Sequence, residues 1–202
     1  MRKFWFVLFA MFAFLMTIRA DELEFKPLFN GSDFNGWQVP ENNIWWSIED
    51  GVLIGKNDPE LKGSTLWTSK EYTDFILQLD FRFGPGSVDS GVFVRKESEQ
   101  IQIGVSSSLK RDMTCSPYVA GKGYPVEAVG VAALLKKDDW NTVRIQAAGN
   151  VYTVMLNGKQ VLEYPSLTAV EKGPLGLQIH PGHDMQISFK NILISEADSL
   201  HP

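Results

Sequence analysis

The chain has 202 residues, 44% of them hydrophobic, 12% aromatic and 21% charged. That much apolar surface excludes a disordered or fibrous protein. Its 19 basic and 24 acidic residues give a formal charge of −5, so nothing draws it electrostatically to nucleic acid or an anionic membrane surface, and neither is expected as a partner.

At the N-terminus, Arg2 and Lys3 precede an apolar run over residues 4–16, and the small residue Ala20 stands before Asp21 and Glu22. This is the pattern of a secretory signal, and the run is short for a bilayer span. The expectation is a leader over residues 1–20, a secreted or periplasmic product, and no membrane attachment beyond the export signal. The bulky Ile18, three positions before the cut, leaves an uncleaved anchor as the alternative. Residues 21–202 are read as a single domain with one core, and without Arg2, Lys3 and Arg19 they are more acidic still. Cys115 is the only cysteine, so no internal disulfide can form, and it reads as a small buried filler.

Turn signals then recur along the chain. Asn30-Gly31, Asn35-Gly36 and Asp50-Gly51 come first, and strand-like runs follow at residues 75–83, 91–96 and 100–105, the first two parted by Gly84-Pro85-Gly86. Residues 106–130 are rich in Gly, Pro and Ser and read as a long functional loop over one face. Residues 128–136 carry a hint of a helical turn. Further strands are expected at 142–146, 152–156, 175–180 and 185–194, and Asn157-Gly158 closes a hairpin from 152–156 onto Val161 and Leu162. Many short strands with almost no helical period predict an all-β, antiparallel sandwich or barrel.

Alternation sorts the side chains of these strands by face. Val92 and Val94 oppose Phe93 and Arg95; Ile101 and Ile103 oppose Gln100 and Gln102; Leu175, Leu177 and Ile179 oppose Gly176, Gln178 and His180. If these strands are neighbours, Arg95, Gln100, Gln102, Gln178 and His180 form one polar surface with Phe93 as a stacking platform. Such a surface suits a neutral polyhydroxyl ligand. The plainer alternative is the solvated side of a sandwich.

These residues resemble the 3-keto-disaccharide hydrolase family, formerly DUF1080, whose members are described as 3-keto-glucoside 1,2-lyases and 3-keto-2-hydroxy-glucal hydratases. The resemblance runs from Phe25-Lys26-Pro27-Leu28-Phe29-Asn30-Gly31 and Gly36-Trp37, through Trp46 with Glu49-Asp50-Gly51, to Leu66-Trp67-Thr68 and Tyr72-Thr73-Asp74-Phe75. It continues through Ser90-Gly91-Val92-Phe93-Val94-Arg95, Gln102-Ile103, Trp140-Asn141-Thr142, Leu156-Asn157-Gly158-Lys159, Gly176-Leu177-Gln178-Ile179-His180 and Phe189-Lys190-Asn191-Ile192. It implies a jelly-roll sandwich of the concanavalin A-like lectin and glucanase type. The sequence departs from the family where a Glu is usual, which is Gln100 here with Glu99 before it, and where an Asn is usual, which is Asp89. The segment 110–115 is also unlike the family loop.

The resemblance implies removal of the C2 proton of a 3-keto-glucoside, β-elimination of the C1 substituent, and hydration of the 2-hydroxy-glucal. This chemistry needs a base near neutrality, a stabiliser for the enolate and an acid for the leaving oxygen. His180 is the expected base because imidazole titrates near working pH, with His183 next to it on a Pro-Gly turn. Arg95 is expected to stabilise the enolate, unless it pairs with Asp80 or Glu97. Asp89 and Glu99 are candidate acids, Glu99 by way of a bulge. Phe93, Gln100, Gln102, Gln178 and His183 would bind the sugar, and Lys110 and Arg111 would close over it. Trp37, Trp45 and Trp46 read as core. No hydride moves, so no cofactor is expected. A divalent ion on His180, His183 and Asp184 is conceivable, but no metal is expected. The alternative class is a non-catalytic carbohydrate-binding module, which Gln100 favours and the His180 strand end disfavours.

Overall fold

The structure, a computed structural model, describes residues 24–196; the expected leader lies outside them. Fifteen strands and one short helix follow in order: β1 (Lys26–Pro27), β2 (Trp37–Gln38), β3 (Trp46–Glu49), β4 (Val52–Lys56), β5 (Ser64–Tyr72), β6 (Phe75–Gly86), β7 (Asp89–Val94) and β8 (Glu99–Ser106). Then come β9 (Arg111–Asp112), β10 (Pro117–Val119), α1 (Val131–Leu134), β11 (Asn141–Ala148), β12 (Val151–Leu156), β13 (Lys159–Pro165), β14 (Gly173–Ile179) and β15 (Met185–Glu196). No helix among the described residues is long and apolar enough to cross a membrane.

The strands form two antiparallel sheets. One has the order β13-β12-β11-β6-β15-β4-β3 with β1 beside β15; the other has the order β10-β8-β7-β14-β5-β2 with β9 beside β8. Period-two alternation builds the core between them. Phe75, Leu77, Leu79 and Phe81 of β6, Val143 and Ile145 of β11, and Val154 and Leu156 of β12 meet Leu66, Val92, Ile101, Ile103, Leu175 and Leu177 of the second sheet. Each such fully buried side chain contributes about 1.5–3 kcal/mol. Cys115 is wholly buried, and burial pushes its thiol up to about 12; it is the expected filler. Trp37 and Trp46 are buried in the core and Trp45 packs against it.

The β12–β13 hairpin forms as expected, with Asn157 (φ 48°) and Gly158 (φ 81°) both in the left-handed region that a two-residue turn of matching twist requires. One expected turn does not form. β6 runs on through Gly84-Pro85-Gly86, because β15 pairs Met185 with Gly86 across an irregular register between Met185 and Ile187. The stretch 106–130 is not wholly loop. β9 and β10 pair with β8, and between them Cys115 N donates to Gln102 O while Gln102 N donates to Ser116 O, both near 2.9 Å (2.8 and 2.9 Å).

Candidate functional site

Register turns the alternating sequence pattern into a site. In the second sheet, Trp67 pairs with Gly176, Gly176 with Phe93, Phe93 with Gln100 and Gln100 with Tyr118. Residues paired across antiparallel strands share a face, so these five make one row across the outer side of the sheet. The next row runs Thr65, Gln178, Gly91, Gln102. Asp89 comes one step further on, where His180 N donates to its backbone carbonyl at 3.2 Å. Glycines at Gly176 and Gly91 leave room for the larger neighbours. A Cβ on Gly176 would stand 2.8 Å from the Trp67 ring, and one on Gly91 would stand 3.0 Å from the Gln100 amide.

These rows floor a cleft of about 180 Å3 lined by Asp89, Phe93, Gln100, Gln102, Gln178 and His180, with Glu97, Ser106, Ser107, Ser108, Tyr118 and Tyr124 around them. Phe93 stacks on Trp67 at 5.3 Å and 23°, and Tyr118 meets Tyr124 edge to face at 5.3 Å and 63°. The polar floor is not a solvated sheet face: Asp89 is 2%, Gln100 5% and Gln102 1% exposed. These three form a directed chain. Gln100 Nε2 donates to Gln102 Oε1 at 2.8 Å, and Gln102 Nε2 donates to Asp89 Oδ1 at 2.7 Å. Asp89 Oδ2 accepts from the Ser107 N–H at 2.8 Å and from the Ser107 hydroxyl. Gln100 Oε1 and Gln178 Oε1 are buried with no hydrogen-bond partner among the described residues. Buried acceptors in that condition are rare and costly, and a ligand's donors would satisfy them.

The two histidines occupy the turn after β14. His180 Nδ1 is 2.7 Å from the Pro181 carbonyl and donates to it, so the neutral imidazole carries its lone pair on Nε2. His183 Nε2 lies 2.6 Å from Ser107 Oγ and 3.7 Å from Asp89 Oδ2, and the two rings meet edge to face at 5.7 Å. Asn57 holds this turn in place. Its Nδ2 donates to the backbone carbonyls of His180 (2.9 Å) and His183 (2.8 Å), and its Oδ1 accepts from Gly63 N at 2.7 Å.

Four expected site residues lie elsewhere. Arg95 leaves the face because its φ of 62° ends the alternation after Val94. Its guanidinium is buried, donating to the carbonyls of Thr73 (2.6 Å), Gly149 (2.7 Å) and Val170 (3.1 Å) and pairing with Asp74 at 3.0 Å. It stabilises neither an enolate nor Asp80 or Glu97. Glu99 points inward, 1% exposed. The β7–β8 register holds Phe93 against Gln100 and Val92 against Ile101 with no bulge, so Glu99 shares the inner face with Ile101. Its carboxylate accepts from Tyr152 OH (2.7 Å), Ser166 Oγ (2.9 Å) and the Thr168 hydroxyl, with Lys96 at 3.2 Å. Burial pushes that carboxyl up, but these partners together hold it below its ordinary value. Lys110 and Arg111 do not line the cleft; Arg111 is exposed and pairs with Glu127 at the β9 edge. Asp184 faces a separate hollow beside Lys56, Asn57 and Asp58, so the acid near the histidines is Asp89.

Trp67, which stood in the sequence only within a family motif, and Ser107, Tyr118, Tyr124 and Asn57 were not named as site residues from sequence. Burial pushes the Tyr124 phenol up to about 12, a bond with Ser106 lowers it, and Asp89 and Tyr118 raise it further. Trp67 falls in an alternating run, Leu66 inward and Trp67 outward. The others reach the site only through long-range pairing.

A two-sheet antiparallel jelly roll of the concanavalin A-like type, with an aromatic and amide-lined cleft on one face, defines a carbohydrate-related domain. The chain belongs to the 3-keto-alpha-glucoside-1,2-lyase-like domain family, which it matches over residues 24–195. It is similar to a solved protein of Parabacteroides distasonis described as a "putative glycosyl hydrolase", with 29% identity over 86% of this chain and 99% of that one and a TM-score of 0.66. A second protein so described from that organism shares 20% identity over 86% and 94%, also at 0.66. The carbohydrate-binding module CBM66 of Bacillus subtilis shares the fold at 15% identity over 80% and 96%, with a TM-score of 0.55. No curated protein matches the chain.

Proposed function

We propose that the protein is an exported enzyme that cleaves 3-keto-glucosides by elimination followed by hydration. The observation that carries this reading is the pair of unpartnered amide oxygens, Gln100 Oε1 and Gln178 Oε1, on a cleft floor that also holds the free lone pair of His180. Two buried acceptors between aromatic walls suit the hydroxyl donors of a sugar ring. A proton acceptor beside them is more than binding alone requires.

In the proposed reaction, His180 Nε2 takes the C2 proton. The electron pair of the C–H bond becomes the C2–C3 double bond, and the ketone oxygen becomes an enolate. The enolate then collapses to restore the ketone as a C1–C2 double bond forms, and the C1–O bond breaks. A Tyr124 or Tyr118 phenol donates a proton to the departing oxygen. Tyr124, with its phenol near 12, stays protonated at neutral pH. Water then adds to C1, which is β to the ketone, and a proton returns to C2.

The second reading is a non-catalytic sugar-binding module. It is favoured by Gln100, an amide where the family usually has a carboxylate. Incubation with a 3-keto-disaccharide, following ketone absorbance and released sugar, separates the two. Turnover by the wild-type protein that falls at least 100-fold in His180→Ala, with folding retained, supports the enzyme. Binding without turnover refutes it in favour of the module.

A further inference from the structure

We propose that Asp89, His180 and His183 bind one divalent transition-metal ion at the inner end of the cleft. One ligand atom from each residue lies within 4.8 Å of the other two, and His183 Nε2 stands 3.7 Å from Asp89 Oδ2. Donors on one ion with bonds near 2.1 Å stand about 3–4 Å apart, so that pair is already at ligand spacing. An ion equidistant from three donors 4.8 Å apart would lie about 2.8 Å from each, and a shift of under ~1 Å per side chain closes the bonds.

The surroundings are those of a held ligand set. Metal-binding imidazoles characteristically donate their second nitrogen to a carbonyl or carboxylate, which sets the tautomer. His180 does so, Nδ1 to Pro181 O. Asp89 is oriented through Oδ1 by Gln102, itself held by Gln100. Asn57 clamps the backbone carbonyls of both histidines. The Ser107 hydroxyl, between Asp89 Oδ2 and His183 Nε2, is the group the ion would displace.

Charge points the same way. No Lys or Arg lines the cleft among the described residues, while Asp89 and Glu97 do. With Arg95 buried elsewhere, the enolate has no cationic partner, and a divalent ion would supply one. Two imidazoles and one carboxylate suit zinc, manganese or iron(II) better than calcium or magnesium. Three protein ligands leave positions open toward the cleft, where the ketone oxygen and an adjacent hydroxyl could chelate the ion. That last role rests on the function proposed above; the ligation does not. With an ion bound, the His180 lone pair would be engaged, and the ion would supply in its place a bound hydroxide, formed when its water loses a proton, as the acceptor for the C2 proton.

The test uses the purified chain, stripped with a chelator and titrated with zinc by calorimetry, and with cobalt(II) by visible absorption. The wild-type protein is expected to bind one equivalent with micromolar affinity or tighter. His180→Ala and His183→Ala should each weaken binding at least tenfold, Gln102→Ala by about 10–100-fold, and Asp184→Asn not at all. The histidines are partly exposed, so their variants should fold, which thermal melting checks. No stoichiometric zinc, binding that survives loss of both histidines, or binding lost in Asp184→Asn would overturn the site. Bound zinc without turnover of a 3-keto-disaccharide counts against the enzyme and for the site. Turnover by a protein that binds no zinc does the reverse and leaves His180 as the proton acceptor.

Discussion

Asn57→Ala should destabilise the protein by about 3 kcal/mol and disable the cleft, although Asn57 does not line it. The side chain makes three bonds to distant backbone: to the carbonyls of His180 and His183 and from the N–H of Gly63. Each is worth ~1 kcal/mol net, and the groups they leave are only partly accessible to water. The turn carrying both histidines would then be held by the backbone bonds from Gly182 N to Leu61 O at 2.7 Å and from His180 N to Asp89 O at 3.2 Å. Urea unfolding followed by tryptophan fluorescence measures the effect. With a slope of ~2 kcal/mol per molar, the midpoint should fall by about 1.5 M at unchanged slope. Turnover of a 3-keto-disaccharide should fall at least tenfold at urea-free conditions where the variant remains folded. A midpoint shift under ~0.3 M, or full turnover despite a large shift, would refute the view that Asn57 positions the histidines.

Glu99 links stability to acid pH. Its folded carboxyl lies below the ordinary 4.5, so the unfolded chain binds that proton first; the stabilisation is present above 4.5 and is lost as pH falls through the lower folded value. Wild-type melting temperature should therefore drop on acidification below about pH 5, and Glu99→Gln should flatten that drop; parallel curves would refute the assignment. Arg95→Ala should cost about 3–5 kcal/mol by removing the buried donor to the carbonyls of Thr73, Gly149 and Val170 and the ion pair with Asp74, lowering the melting temperature by about 10 °C. Sugar binding per folded molecule should persist, and lost binding at an unchanged melting temperature would return Arg95 to the cleft.

Short-range pattern carried much of this protein. A strand's side chains alternate by covalent geometry, so Gln100 and Gln102 could be set opposite Ile101 and Ile103, Phe93 opposite Val92 and Val94, and Gln178 opposite Leu177 and Ile179 from sequence. The pairing of their strands was needed to join them on one face. Asn157-Gly158 announced its own hairpin. The same rule places Glu99 inward beside Ile101; the expectation of a bulge, drawn from the family's usual Glu, obscured it. Arg95 failed for a different reason. One left-handed residue breaks the period, and nothing in the local sequence marks it. The meeting of Asp89 with His180 and His183 was beyond local reading, because it depends on β7 pairing with β14 and on Asn57 pinning the turn that follows. Contacts between segments far apart in the chain arise from the packing of whole sheets, and only the tertiary structure decides which polar residues end as neighbours.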